Sequence, residues 1–244
     1  RRAPLAGDLA APLLLPLNLV IADLHLRINL ALLPSSNMPP SSLASGYYNM
    51  DFSLNTEQQM LQSTARKFAA DILPSEARLI EDKDIPPSRE LRKQFAEMGF
   101  LGINLPTRYG GAGLGHFEAV LVLEELAKIS IAAAFPVFEA SFGPSLAIAH
   151  FAPEELRQRI LPAVCNGDMV VAVSMSEPQA GTALTDLKTT ARLAGDKIIL
   201  NGNKRWCSGA GHADAYVVYC RMSDAPGASG IGAVLVEKDT PGFS

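Results

Sequence analysis

Ser174-Met175-Ser176-Glu177-Pro178-Gln179-Ala180-Gly181-Thr182, followed further on by Lys204-Arg205-Trp206-Cys207-Ser208-Gly209, is where the reading of this chain turns. The first piece is a hydroxyl-rich turn punctuated by Pro and Gly. The second sets the single Trp of the chain two residues before a Ser. Upstream of both, apolar residues recur at helical spacing; around and after them the period shortens to that of strands.

Working upstream, Met60, Leu61, Thr64, Ala65, Phe68, Ala69, Ile72 and Leu73 form one apolar stripe. The spacing predicts a helix from Thr56, capped by Thr56 and Gln59 and ended by Pro74. A second helix is expected near Ser88, with Leu91, Phe95 and Met98 on one face and Gly99 beyond its end. Leu105-Pro106-Thr107-Arg108-Tyr109-Gly110-Gly111-Ala112-Gly113 lacks the lysine and spacing of a phosphate loop, so it reads as a tight turn. Phe117 to Lys128 is the next helix, with Phe117, Val120, Leu121 and Leu123 expected inward. Ile131 to Phe151 carries one acidic residue, Glu139, and no Lys or Arg. It is expected as a helix buried in a bundle and bent near Pro136 and Pro144. A helix opening at Pro153-Glu154-Glu155 buries Leu156, Ile160 and Val164 and stops at Asn166-Gly167.

Working downstream, Met169 to Val173 is a short strand. Thr189–Leu193 and Lys197–Leu200 flank Ala194-Gly195-Asp196 and read as a hairpin. Asn201-Gly202 signals a further turn. Ala215–Cys220 and Gly232–Val236 are further strands. Helices followed by consecutive strands give an α+β chain. A helical bundle over residues 50–167 is followed by a β-barrel-like domain over 168–244.

Residues 1–49 are patterned differently. A Leu-rich stretch is broken by Pro12, Pro16, Asn18, Asp23, His25, Arg27 and Asn29, too often for a membrane span. They read as an unstructured leader, or an extension foreign to the folded body that starts near Met50. Composition fits a globular protein: of 244 residues, 48% are hydrophobic and 19% charged. A net charge of −4 without a Lys/Arg cluster disfavours nucleic acid as partner. The three Cys, Cys165, Cys207 and Cys220, and the four scattered His have no metal-ligand spacing, so no metal is expected.

Several segments together resemble the acyl-CoA dehydrogenase family. Val173 to Thr182 is similar to its V-T-E-P-x-A-G-S-D turn, and Trp206-Cys207-Ser208 to its W-I-T. Leu105 to Leu114 resembles P-x-x-Y-G-G-x-G-L. Leu123-Glu124-Glu125-Leu126-Ala127 resembles its E-E-L-A helix, and Asn201-Gly202-Asn203-Lys204-Arg205-Trp206 its N-G-x-K-x-W approach strand. The similarity covers residues 50–244.

The resemblance implies FAD as cofactor and α,β-dehydrogenation of an acyl-CoA thioester as reaction. It implies that Val173, Met175, Ser176, Gly181, Thr182, Trp206, Cys207 and Ser208 line the FAD. Met175 and Ser176 would meet the isoalloxazine edge, and Gly181 and Thr182 the pyrophosphate. Trp206 would pack on the ring, and Ser208 would bond near N5. Thr182 would also lie near the acyl-CoA. These residue types suit the task. Glycine lets a backbone approach a phosphate, hydroxyls donate to polar edges, and an indole offers a flat wall. Ser208, two residues from Trp206 on an expected strand, would point the same way. Ala183 departs from the family's Asp, and Ser176 and Ser208 replace Thr.

The family's catalytic Glu falls beyond Ser244, so no catalytic residue is assigned. Glu177, followed by Pro178 in a turn signature, reads as structural. The buried Ile131–Phe151 segment is expected to line the acyl pocket, with Phe135, Phe138 and Phe142 shortening it. Expected partners are acyl-CoA, an electron-transfer flavoprotein and further copies of the chain in a homodimer or homotetramer, with no membrane span. Expected surroundings are the cytoplasm, or the mitochondrial matrix in a eukaryote. Two other readings remain open at this level: a flavin-dependent oxidase or monooxygenase on the same scaffold, and a non-enzymatic helical interaction protein.

Overall fold

A computed structural model describes residues 53–244, together with the backbone of two short strands, β1 (Leu13–Pro16) and β2 (Val20–Ile21). The remaining residues of the expected leader lie outside those described. Within it, β1 pairs antiparallel with Lys197–Leu200, and β2 pairs antiparallel with Ala233 and Val234. At those two short stretches the backbone is joined to the sheet, which a leader wholly outside the folded body would not be.

The first helix, α1 (Thr56–Lys83), is longer than its sequence suggests. Asn55, one residue before the expected cap, accepts from the Gln58 N–H at 2.8 Å, and Gln58 Oε1 accepts from the Asn55 N–H at 3.1 Å. The reciprocal pair satisfies two otherwise orphaned donors. The helix does not end at Pro74. It runs through it because Leu73 and Ile80, on either side, are both buried in the core. That burial offsets the lost backbone bond.

Ser88 caps α2 (Arg89–Glu97) through its Oγ, which accepts from the Leu91 N–H at 3.0 Å. The glycine-rich connection is a 3₁₀ turn over Thr107–Tyr109, structural in character. A Cβ on Gly111 would sit 2.2 Å from the Leu105 carbonyl oxygen, so the turn closes only with glycine there. Tyr109 is buried, and its hydroxyl donates to the Glu154 carboxylate, with the nearer oxygen at 2.8 Å.

Helix α3 (His116–Ala127) turns Ala119, Val122 and Leu126 into the core; of the expected set, Leu121 is buried and Leu123 packs against the core. Phe117 and Val120 face outward, at 52% and 47% exposure. The inward positions recur at i, i+3 and i+7, one helical stripe, and Phe117 and Val120 fall off it. Glu125 is buried within the bundle but paired. Arg66 donates to it in a fork at 3.0 and 3.1 Å, and Lys128 adds a bond at 2.9 Å. The apolar stretch after it is two helices, α4 (Ile131–Ser141) and α5 (Pro144–Phe151), broken at Phe142-Gly143. By length and mean hydropathy, 1.4, residues 131–151 would pass as a membrane span, but half of the stretch is buried within the protein. Helix α6 (Glu154–Cys165) buries Leu156, Ile160 and Val164 as expected.

The sheet follows. β3 (Val171–Ser174) runs parallel to β6 (Ala215–Arg221), and β6 pairs antiparallel with β7 (Ile231–Glu237). β4 (Thr190–Ala194) and β5 (Lys197–Asn201) form the expected hairpin, with Gly195 at φ 65° in its turn. The strand order is β1-β5-β4-β6-β7-β2, with β3 beside β6. This is an open sheet, looser than the barrel the sequence suggests. It completes an α+β architecture of helical bundle and sheet. β6 and β7 are buried nearly throughout, α4 and α5 meet the sheet at β3, and one apolar core runs from Ala65 on α1 to Val236 on β7.

Candidate functional site

β3 delivers the chain into the turn that carries most of the expected site. Glu177 and Ala180 exchange backbone hydrogen bonds at 2.8 and 3.1 Å, leaving Pro178 and Gln179 at the tip of a tight reversal. The next residues, Gly181 and Thr182, emerge exposed. A Cβ on Gly181 would meet nothing within 4 Å, so the backbone there is open to approach. No hydrogen bond among the described residues uses the N–H groups of Gly181 and Thr182, or the hydroxyls of Ser176, Thr182 and Ser208. A run of unspent donors beside an open backbone suits an anionic, polar-edged ligand. Arg221 props the following turn. Its guanidinium donates to the carbonyls of Thr185, Leu187, Ala225 and Gly227.

The second segment departs from its expected form. β5 ends at Asn201, so Lys204 to Ser208 is not a strand, and strand alternation does not set where Trp206 and Ser208 point. Trp206 instead adopts φ 60°, a conformation that costs a bulky residue about 1–3 kcal/mol. Its side chain is 79% exposed, with the Arg205 guanidinium 4.5 Å from the ring centroid. Ser208 is exposed in the turn that follows. That turn is seated firmly. A Cβ on Gly209 would come 2.6 Å from the Ala172 Cβ of β3. The buried Tyr216 hydroxyl donates to the Gly209 carbonyl and accepts from the Gly211 N–H, both at 3.2 Å. Cys207 is half-buried against the main core, and burial pushes its thiol pKa up.

The two segments are bonded to each other. The Arg205 N–H donates to the Ser176 carbonyl at 2.8 Å. Lys204 Nζ donates to the Met175 carbonyl at 2.9 Å and to Glu177 Oε1 at 2.8 Å. Glu177 also accepts from the N–H groups of Lys188 and Thr189 at 2.6 and 2.9 Å, and from Gln179 Nε2 at 2.8 Å. Burial works to raise the Glu177 pKa, but the bonds from Lys204 and the Thr189 and Lys188 segment outweigh it and hold the carboxyl below its ordinary range. With every lone pair engaged, Glu177 is built to hold structure rather than to abstract a proton. Sequence reasoning singled out neither this cluster nor Arg221. The signal available was a lone Glu within an uncharged, hydroxyl-bearing turn at 174–182 and a Lys-Arg pair in the short segment at 201–209.

A cavity of about 490 Å³ lies between residues 201–213 and the chain's last residues, lined by Ser174, Lys204, Cys207, Tyr216 and Phe243 among others. Of the residues expected to line FAD, only Cys207 borders it. Val173 and Met175 are half-buried along β3 and just beyond it. Behind this strand, Glu139 on α4 is 6% exposed, and burial raises its pKa to about 7. Among the described residues no group of three or more His, Cys, Asp or Glu could hold a metal ion.

Family models match both halves of this architecture. The acyl-CoA dehydrogenase N-terminal domain matches residues 55–168, and the acyl-CoA dehydrogenase middle domain matches residues 172–244. The chain belongs to the acyl-CoA dehydrogenase family. Mitochondrial isovaleryl-CoA dehydrogenase of Pongo abelii is 36% identical over 194 residues, which are 78% of this chain and 46% of that protein. Among solved structures, a glutaryl-CoA dehydrogenase of Mycobacterium smegmatis in complex with FADH2 superposes with a TM-score of 0.71 at 28% identity. It covers 78% of this chain and 48% of that one. The FAD complex of PigA gives a TM-score of 0.73 at 30% identity, over 79% of this chain and 50% of that one. The chain thus spans about half the length of the acyl-CoA dehydrogenase relatives it matches. FAD is the cofactor of this oxidoreductase family. The open Gly181 backbone and the unspent hydroxyls of Ser176, Thr182 and Ser208 fit such a group.

Proposed function

We propose that the protein to which this chain belongs carries out FAD-dependent α,β-dehydrogenation of an acyl-CoA thioester. The observation that carries the reading is the bonding of two donor-rich, exposed segments to each other through Ser176–Arg205 and Met175–Lys204. When bound, FAD supplies the acceptor for the hydride leaving the substrate's β-carbon. Gly181 and Thr182 hold the pyrophosphate through N–H and hydroxyl donors. Met175 and Ser176 meet the polar edge of the ring, Ser208 donates near N5, and Trp206 walls one face. Val173 and Cys207 pack the floor beneath. Thr182 also faces the acyl-CoA. No proton-abstracting base is assigned among the described residues, because Glu177 is saturated with donors.

Within this reading residues 50–167 form the helical domain and 168–244 the sheet domain. The aromatic row of Phe135 and Phe138 on α4 and Phe142 just past its end, with successive ring centroids 5.5 and 6.1 Å apart, limits the acyl chain. The electron acceptor is an electron-transfer flavoprotein, the working state is a homo-oligomer, and the location is cytoplasm or mitochondrial matrix. Visible absorbance of the full-length protein after FAD addition and desalting tests the reading. Retained flavin that bleaches anaerobically with acyl-CoA supports it, and absence of retained flavin sinks it. Rapid reoxidation by O₂ would instead favour an oxidase on the same scaffold.

A further inference from the structure

Burying a charged pair is a poor way to gain stability. Apolar residues of similar volume in its place are often as stable or more so, whereas removing one partner alone is costly. Such a pair invites a search for what its geometry secures. The side chains of Lys204 and Glu177 are 11% and 1% exposed, in the middle of the segments proposed to meet the flavin.

The acceptors of Lys204 lie immediately on either side of one residue. Its ammonium bonds the carbonyl of Met175 and the carboxylate of Glu177, so it straddles Ser176. The next residue along, Arg205, donates its N–H to the carbonyl of Ser176 itself. The backbone of Ser176 is thereby fixed from the 204–205 side at three consecutive positions. The carboxylate in turn is anchored by Lys188 and Thr189 at the entry to β4, and by Gln179 at the tip of its own turn. Three pieces of chain, 175–180, 188–189 and 204–205, meet at one ion pair. Both charged side chains are largely enclosed, whereas Gly181, Thr182, Trp206 and Ser208 are exposed.

We infer that Glu177 and Lys204 are positioning residues that set the Met175–Ser176 edge at a fixed spacing from Trp206 and Ser208, so that a flavin ring is met by both segments at once. The inference rests on the proposed flavin site. It goes beyond it by assigning a role to two residues that need not touch the cofactor. A single unpaired ammonium or carboxylate in this setting would disturb folding, so the informative variant removes both charges together. Glu177→Gln with Lys204→Met keeps volume and leaves one amide oxygen to accept from the Thr189 or the Lys188 N–H, with the other N–H unpaired. It deletes the strap across Ser176.

The test compares full-length wild type, the double variant and Lys204→Arg in three measurements: thermal midpoint, FAD affinity with the visible spectrum of bound flavin, and hydrogen exchange of the Arg205 amide. The double variant should still fold and melt cooperatively, with a thermal midpoint lowered only by the backbone groups left unpaired at residues 175 and 188–189. It should bind FAD at least about tenfold more weakly, lose resolved structure in the flavin band, and exchange the Arg205 amide at least about tenfold faster. Lys204→Arg, which keeps the cation, should recover part of both. A double variant that binds FAD within about twofold of wild type with an unchanged spectrum and a still-protected Arg205 amide overturns the inference. A wild type that binds no FAD sinks the flavin site instead. The Arg205 exchange rate then decides alone whether the pair fixes the Ser176 edge, with unchanged exchange counting against it.

Discussion

Replacing Glu139 with Gln should make the protein more stable at alkaline pH and leave it nearly unchanged under acid conditions. Glu139 sits on α4 against the sheet, 6% exposed, and no hydrogen bond or ion pair to its carboxylate occurs among the described residues. Burial alone raises its pKa from 4.5 to about 7. The folded protein therefore holds this proton more tightly than the unfolded chain does. The resulting stabilisation is fully present below about pH 4.5 and is lost as pH rises through about 7. Its full size is about 3 kcal/mol, the free-energy equivalent of that rise. Gln mimics the neutral carboxyl and cannot ionise. The gap between variant and wild type should therefore open from near zero at pH 4.5 to about 3 kcal/mol at pH 8, roughly 6–12 °C in midpoint for a chain of this size. Urea unfolding of both proteins at several pH values measures it. Arg92 lines the same narrow crevice, with its Nε buried and unpartnered. If the ionised Glu139 swings to Arg92, the gap will stay flat across pH, and that result would refute the reasoning.

Other outcomes follow from single features. Trp206→Ala should release retained FAD, whereas Ser208→Ala should shift the flavin potential more than affinity, by one hydrogen bond of roughly 0.5–1.5 kcal/mol. Unchanged retention and potential in both would remove these residues from the site. Gly111→Ala should lower stability by more than about 2 kcal/mol in denaturant titration, because its Cβ would fall 2.2 Å from the Leu105 oxygen. Cys165 and Cys220 are buried, with thiols pushed up to about 11 and about 12. At pH 7.5 fewer than about one in a thousand is thiolate, so iodoacetamide should leave both intact until the protein unfolds. Labelling at native rates would show that the core opens locally.

The parts of the fold legible in the sequence are those written in local pattern. The α2 cap at Ser88, the stop at Asn166-Gly167 and the β4–β5 turn at Gly195 stand where their residue types require. The misreadings share a cause. Pro74 ends a helix locally, but Leu73 and Ile80 are held by residues far away in sequence, and that tertiary burial carries the helix on. Phe117 and Val120 look inward by hydrophobicity, yet the stripe that meets the core includes Ala119, Val122 and Leu126, and which arc of the helix faces the bundle is set by α1 and α4 packed against it. At the candidate site the donor residues were legible as a joint pattern. Their bracing was not. The bond from Lys204 to Glu177 spans 27 positions, and that from Arg221 to Thr185 spans 36, distances no local pattern encodes. The φ of Trp206 was likewise beyond reach, since nothing in Arg-Trp-Cys demands a left-handed residue.

The core that joins bundle and sheet leaves no hinge line between them. Residues from α1, α4, α5, β3 and β7 share one apolar interior, so the helices and strands should melt as one cooperative block, not in two steps. Occupancy of a site on the strand-side turns would then be felt as far away as α1. A ligand that binds only the native form raises the unfolding free energy of everything cooperative with its site. The protection of helical amides in the bundle would then report saturation of a ligand bound at those turns. In this molecule the sequence junction between helices and strands is a change of backbone geometry, and mechanically it is continuous.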